Sequence, residues 1–210
     1  YEIYQCDWSS DVCSSDLIAI LRGVRPDEVE AIGEALVAAG FSLIEVPMNS
    51  PAPLDSIARL ASRFAGRAQI GAGTVLGAEE VAQVQDAGGT MIISPNADPA
   101  VIGASTARGL VSLPGVFTVT EAFAALTAGA TALKLFPAEA ASPVVLKAMC
   151  AVLPGDARVL PVGGIAPGSM APWRAAGAAG FGLGSALYKP GMGPEQVGAN
   201  ARAFLAALPR

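Results

Sequence analysis

From Leu17 onward the chain alternates between a short apolar run and an amphipathic stretch, and it does so eight times. The apolar runs fall at 17–21, 42–46, 68–72, 90–94, 109–113, 131–135, 158–162 and 180–184. The amphipathic stretches lie at 26–39, 53–65, 78–87, 98–107, 119–128, 142–152, 168–177 and 194–208, with Ala, Leu and Val recurring every three or four positions. That spacing puts one apolar stripe on the core-facing side of a helix. Gly40, Gly88, Gly109, Gly129 and Gly180 follow these stretches, where a left-handed residue closes a helix at least cost.

A βα unit repeated in this way calls for parallel strands with right-handed crossovers. Eight units in about 190 residues suit a closed barrel, because an open sheet of the same strands would leave two edges unpaired. The expected fold is therefore α/β, a single (β/α)8 TIM barrel over residues 17–210. A doubly wound open sheet is the alternative, but neither GAGT at 71–74 nor VGGI at 162–165 is a GxGxxG dinucleotide fingerprint. Residues 1–16, YEIYQCDWSSDVCSSD, break the pattern with two SSD echoes and two of the three cysteines. They are expected to be a cloning or sequencing remnant outside the fold.

The chemistry open to this barrel is narrowed by what the chain lacks. It has no histidine, which removes His metal sites, Ser–His and Cys–His nucleophile pairs and histidine acid–base catalysis. Cys6, Cys13 and Cys150 offer neither a disulfide framework nor a metal cluster, and a reducing, cytoplasmic compartment is expected. With 13 Lys+Arg against 18 Asp+Glu the net charge is −5, so no binding to nucleic acid or an anionic membrane surface is expected. Membrane insertion and secretion are not expected either. Hydrophobic residues reach 52% and charged residues only 15%, a balance that favours association between copies.

In a closed βα barrel the active site is built at the C-terminal ends of the strands. Those ends read, in order, Arg22, Glu45, Thr74, Ser94 with Asn96, Pro114 with Gly115, Lys134, Gly163 with Gly164, and Gly184 with Ser185. Lys134 is the most informative, because it stands between Leu133 and Leu135. Desolvation there lowers an amine's pKa and frees a neutral nucleophile for a ketone. The competing reading is a lysine that reaches solvent or pairs with an acid. The two other lysines, Lys147 and Lys189, read as surface residues.

Glu45, between Ile44 and Val46, is the matching carboxylate; it either exchanges protons with a bound molecule or forms an ion pair with Arg22 or Lys134. Arg22 is a bidentate donor for a carboxylate or phosphate. VGG at 162–164 and GLGS at 182–185 close consecutive strands, where backbone N–H groups and the Ser185 hydroxyl suit a phosphate, although tight turns use the same glycines. Thr74, Pro95 and Asn96 are rim candidates, Phe136 an apolar wall, and Glu121 a helix first-turn residue with Thr118 or Thr120 as cap.

The segment GATALKLFPA at 129–138 resembles the Schiff-base motif of the bacterial 2-keto-3-deoxy-6-phosphogluconate and 6-phosphogalactonate aldolase family. IAILRG, IEVPMNSP, IGAGTVL, ISPN and LPGVFTVTEAF occur in that family's order, so the resemblance spans residues 17 to about 208. It implies a TIM barrel, usually trimeric, and a class I aldolase that needs no metal or cofactor. Lys134 would form the imine and Glu45 transfer protons. Arg22, Thr74, Pro95, Phe136, Val162, Gly163, Gly164, Gly184 and Ser185 would bind substrate, with Asn49 and Asn96 as further candidates. Gluconate-type members follow the glutamate with Thr, an apolar residue and Arg, and carry Thr before the double glycine; this chain has Pro47-Met48-Asn49 and Val162, as the galactonate branch does. The implied reaction cleaves 2-dehydro-3-deoxy-6-phospho-D-galactonate to pyruvate and D-glyceraldehyde 3-phosphate. The alternatives are an aldolase for the gluconate epimer or for both, a phosphosugar isomerase, and a non-enzymatic phosphosugar-binding barrel.

Overall fold

The computed structural model describes residues 17–208. The expectation for residues 1–16 lies outside that range. Strands and helices alternate as β1 (Leu17–Ile20), α1 (Val29–Ala39), β2 (Leu43–Pro47), α2 (Pro53–Arg63), β3 (Gln69–Gly73), α3 (Ala78–Asp86), β4 (Met91–Ile93), α4 (Pro99–Ala107) and β5 (Val111–Leu113). They continue as β6 (Gly115–Val116), α5 (Val119–Thr127), β7 (Leu133–Leu135), α6 (Pro143–Cys150), β8 (Val159–Pro161), α7 (Met170–Ala175), β9 (Phe181–Leu183) and α8 (Pro194–Ala206). Two 3₁₀ turns, Ala138–Ala140 and Pro167–Ser169, follow β7 and precede α7.

Every named pairing is parallel, but the described strands number nine and form two sheets, β5-β4-β3-β2-β1-β9 and β6-β7-β8. This corrects the expectation of eight strands in one uninterrupted ladder. The physical reason lies in Pro114, which has no N–H to give a ladder and so divides the fifth strand. Its first part pairs with β4, and its second, β6, pairs with β7. Backbone bonds still cross this seam: the Thr131 N–H donates to Ser112 O at 2.9 Å and the Lys134 N–H to Pro114 O at 2.9 Å. At the other seam a parallel bridge joins Val162 to Gly182, and the Ala179 N–H donates to Val159 O at 2.9 Å.

The strands are apolar on both faces because both are covered. Leu17, Ala19 and Leu21 join the large cluster that includes helix residues such as Ile32, Leu36 and Phe204, whereas Ile18 belongs to a second cluster with Leu43, Met91, Ile93, Leu113 and Leu160. Strand alternation produces that division, and it explains why the strands read as continuous apolar runs. The helix ends follow local chemistry. The Asp98 carboxylate accepts from the Ala100 N–H at 2.8 Å, and Thr118 with Glu121 forms a reciprocal cap on α5. Gly40, Gly88, Gly109 and Gly129 are left-handed as expected, but after α7 that conformation falls on Gly177, not Gly180. No helix among the described residues is long and apolar enough to cross a membrane.

Candidate active site

Parallel strands present their C-terminal ends on one side, which gathers there residues remote in sequence. Lys134 lies on β7 with Gly115 and Leu160 as its register partners, and Glu45 lies on β2 beside Ile20 and Gly71. The two side chains face one cavity whose remaining lining is Ile18, Ile20, Ile93, Leu113, Leu160, Val162 and Gly182. Lys134 is 6% exposed and Glu45 1% exposed. Lys147 and Lys189 are exposed, so Lys134 is the one buried lysine of the chain's three.

Burial in this apolar lining moves both groups toward their neutral forms. It pushes the Glu45 carboxyl up to about 7, against the opposing pull of the Lys134 and Arg22 charges. It lowers the Lys134 amine, an effect opposed by Glu45 and reinforced by Arg22. Glu45 Oε2 is buried without a hydrogen-bond partner. An acceptor left open at the wall of a cavity suits a group that receives a proton from a bound molecule. The Lys134 Nζ also stands 4.7 Å from the centre of the Phe136 ring, which lies next to the amine but outside the cavity lining.

Gly73 makes room for this carboxylate. It pairs in register with Pro47 at the end of β2, and a Cβ built on it would overlap the Glu45 carboxylate. The sequence offers Thr74 from this segment as a site candidate but gives no sign of the role of Gly73, which depends on the register of β3 against β2.

Arg22 does not form the ion pair with Glu45 that the sequence left open. Its Nη1 donates to Asn49 Oδ1 at 2.7 Å and its Nη2 to Thr74 Oγ1 at 3.4 Å. Thr74 has φ 57°, a left-handed backbone uncommon for a threonine. The Gly23 N–H donates to Ser50 Oγ at 2.9 Å, so the ends of β1 and β2 are tied twice. Pro95 and the exposed Asn96 follow β4 on the rim, outside the cavity lining.

After β8, Gly163 and Gly164 take φ 111° and 64°, a pair of conformations that favours glycine at both positions. Gly184 and the exposed Ser185 follow β9. Val162 lines the cavity and bridges to Gly182, joining this rim to the lysine below. The structure adds a residue that sequence reasoning passed over. Glu139, on the 3₁₀ turn after β7, lies over the double glycine, where its carboxylate fills the space a Cβ on Gly163 would take. Two distant turns meet at that contact, so no local pattern announces it.

Residues 9–196 match the family model described as KDPG and KHG aldolase. A probable 2-dehydro-3-deoxy-6-phosphogalactonate aldolase of Rhizobium meliloti is 48% identical over 191 residues, covering 91% of this chain and 90% of that protein. The 2-dehydro-3-deoxy-6-phosphogalactonate aldolase of Escherichia coli is 46% identical, covering 91% and 93%. A solved structure described as native KDPGal superimposes with a TM-score of 0.90 at 46% identity, over 91% of this chain and 93% of that one. A buried lysine facing a buried carboxylate at the ends of parallel strands, set in a sequence this similar along nearly its whole described length, leaves one conclusion: the chain belongs to the KDPG and KHG aldolase family.

Proposed function

We propose that this chain is a class I aldolase that cleaves 2-dehydro-3-deoxy-6-phospho-D-galactonate to pyruvate and D-glyceraldehyde 3-phosphate. The observation that carries the reading is the pairing of the chain's one buried lysine with a buried carboxylate in an otherwise apolar cavity. The neutral Lys134 amine attacks the C2 ketone, and loss of water leaves a protonated imine. Glu45 takes the C4 hydroxyl proton, the C3–C4 electrons move into the imine, and D-glyceraldehyde 3-phosphate departs. The remaining enamine takes a proton at C3, and water attack releases pyruvate and restores the amine. The imine supplies the electron sink, so the sequence of steps calls for no metal or cofactor.

Arg22 and Thr74 hold the carboxylate end of the substrate. Gly163, Gly164, Gly184 and Ser185 take the phosphate, and Phe136, Val162 and Pro95 shape the channel between them. Asn96 is a rim contact. Pro47-Met48-Asn49 and Val162 support preference for the galactonate epimer, in line with the relatives named above. The two sheets close into one (β/α)8 barrel, the functional unit spans residues 17–210 with residues 1–16 outside it, and three copies assemble in the cytoplasm.

The test has two arms. Both C4 epimers are compared by kcat/KM for pyruvate release, and the galactonate form is expected to be the faster. Pyruvate with borohydride is expected to leave a three-carbon adduct on Lys134, located by peptide mass mapping. Adducts on Lys147 or Lys189 instead, or turnover without any adduct, would sink the imine mechanism and revive the isomerase reading.

A further inference from the structure

Arg22 leaves β1 and crosses the ends of β2 and β3, where two side chains fix its direction, Asn49 at 2.7 Å and Thr74 at 3.4 Å. Both acceptors are neutral. Arg25, Arg63 and Arg67 form carboxylate ion pairs, whereas Arg22 has none among the described residues. The guanidinium is thus oriented while keeping its whole charge, and that charge reaches the cavity: it opposes protonation of both Glu45 and Lys134. Asn49 commits its amide oxygen to Arg22, and Thr74, accepting from Arg22, keeps its hydroxyl hydrogen to donate. A guanidinium held by two neutral acceptors, with a hydroxyl beside it, is the arrangement that receives an anion.

We propose that Asn49 is a positioning residue: it aims Arg22 at the carboxylate of a 2-keto acid held on Lys134 and, being an amide, does so without neutralising it. An aspartate here would keep the hydrogen bond and add an ion pair. It would thereby occupy the charge the substrate needs. The proposal rests on the aldolase reading above and adds the claim that the neutrality of residue 49 matters, not only its shape.

Three variants decide it: Asn49→Ala, Asn49→Asp, and Asn49→Ala combined with Arg22→Ala. Steady-state kinetics, pyruvate–borohydride trapping and melting temperature are measured on each, with wild type and Arg22→Ala alongside. Asn49→Ala is expected to raise KM roughly tenfold with kcat little changed, the size of one lost bond to a charged group. Asn49→Asp is expected to raise KM further and to slow trapping, although its melting temperature is equal to or above that of wild type. On the Arg22→Ala background, Asn49→Ala is expected to add nothing, because it acts through the arginine. A Asn49→Asp variant that traps pyruvate as wild type does, or additive losses in the double variant, would overturn the positioning role alone. Absence of a pyruvate adduct on the wild-type chain would overturn the aldolase reading and this one together.

Discussion

Glu45 is held where its proton is hard to remove, and the proton-transfer role proposed for it is thereby coupled to stability. Its carboxyl moves from an ordinary 4.5 to about 7 because it is buried. An acid poised near neutrality both takes and gives a proton at small cost. The folded chain binds this proton more tightly than the unfolded chain, so the group detracts from stability progressively as pH rises from 4.5 to about 7, and fully above that. Lys134 runs the other way: its lowered amine adds stability as pH climbs through its folded value toward 10.5. Glu45→Gln removes the first of these titrations. Urea unfolding at pH 4.5 and above 7 is expected to show the variant gaining on wild type by on the order of 3 kcal/mol across that window. Its kcat is expected to fall about a hundredfold. A stability gap that stays flat across the window would contradict the buried, proton-holding state of Glu45.

Between elements, the register of β2 against β3 decides where that carboxylate sits. Gly73→Ala puts a methyl group into the space of the Glu45 carboxylate, with both backbones fixed in one ladder. The expected outcome is a turnover loss comparable to that of Glu45→Gln, with a stability cost of about 1–3 kcal/mol from overpacking. Turnover within a factor of about two of wild type would show that the carboxylate has somewhere else to go. Such contacts mark the boundary of what the chain discloses in one dimension. The alternation of apolar runs and amphipathic stretches carries its own periodicity, so the order of strands and helices was legible, as was Lys134 among flanking leucines. The division at Pro114 was visible as a residue without an N–H, but its effect depends on which neighbours each half pairs with. Asn49 beside Arg22, and Glu139 over Gly163, are meetings of loops from different strands, and nothing local in the sequence encodes their distance.

At the scale of the whole molecule, the exposed apolar surface is unevenly spread. Of the six exposed large apolar side chains among the described residues, Phe117, Phe123, Val144, Val145 and Val152 fall on or next to α5 and α6. Exposed apolar side chains concentrated on two helices in this way are candidates for the contact between copies. Sedimentation is expected to give three times the chain mass of 21.0 kDa. Phe117→Asp with Phe123→Asp is expected to reduce it to one chain while circular dichroism stays unchanged. A trimer that survives both charges would place the contact elsewhere. The cavity has a wider consequence. Apart from Lys134 and Glu45, its wall holds nothing polar that could tell one sugar from another. On the aldolase reading the reacting pair is then generic to 2-keto acids, and discrimination falls to the residues around the mouth of the cavity, Val162 and the Pro47-Met48-Asn49 turn among them. Such a division makes the scaffold evolvable: an epimer preference can be rewritten by a few rim residues, with the reactive amine and the packed layers beneath it inherited intact.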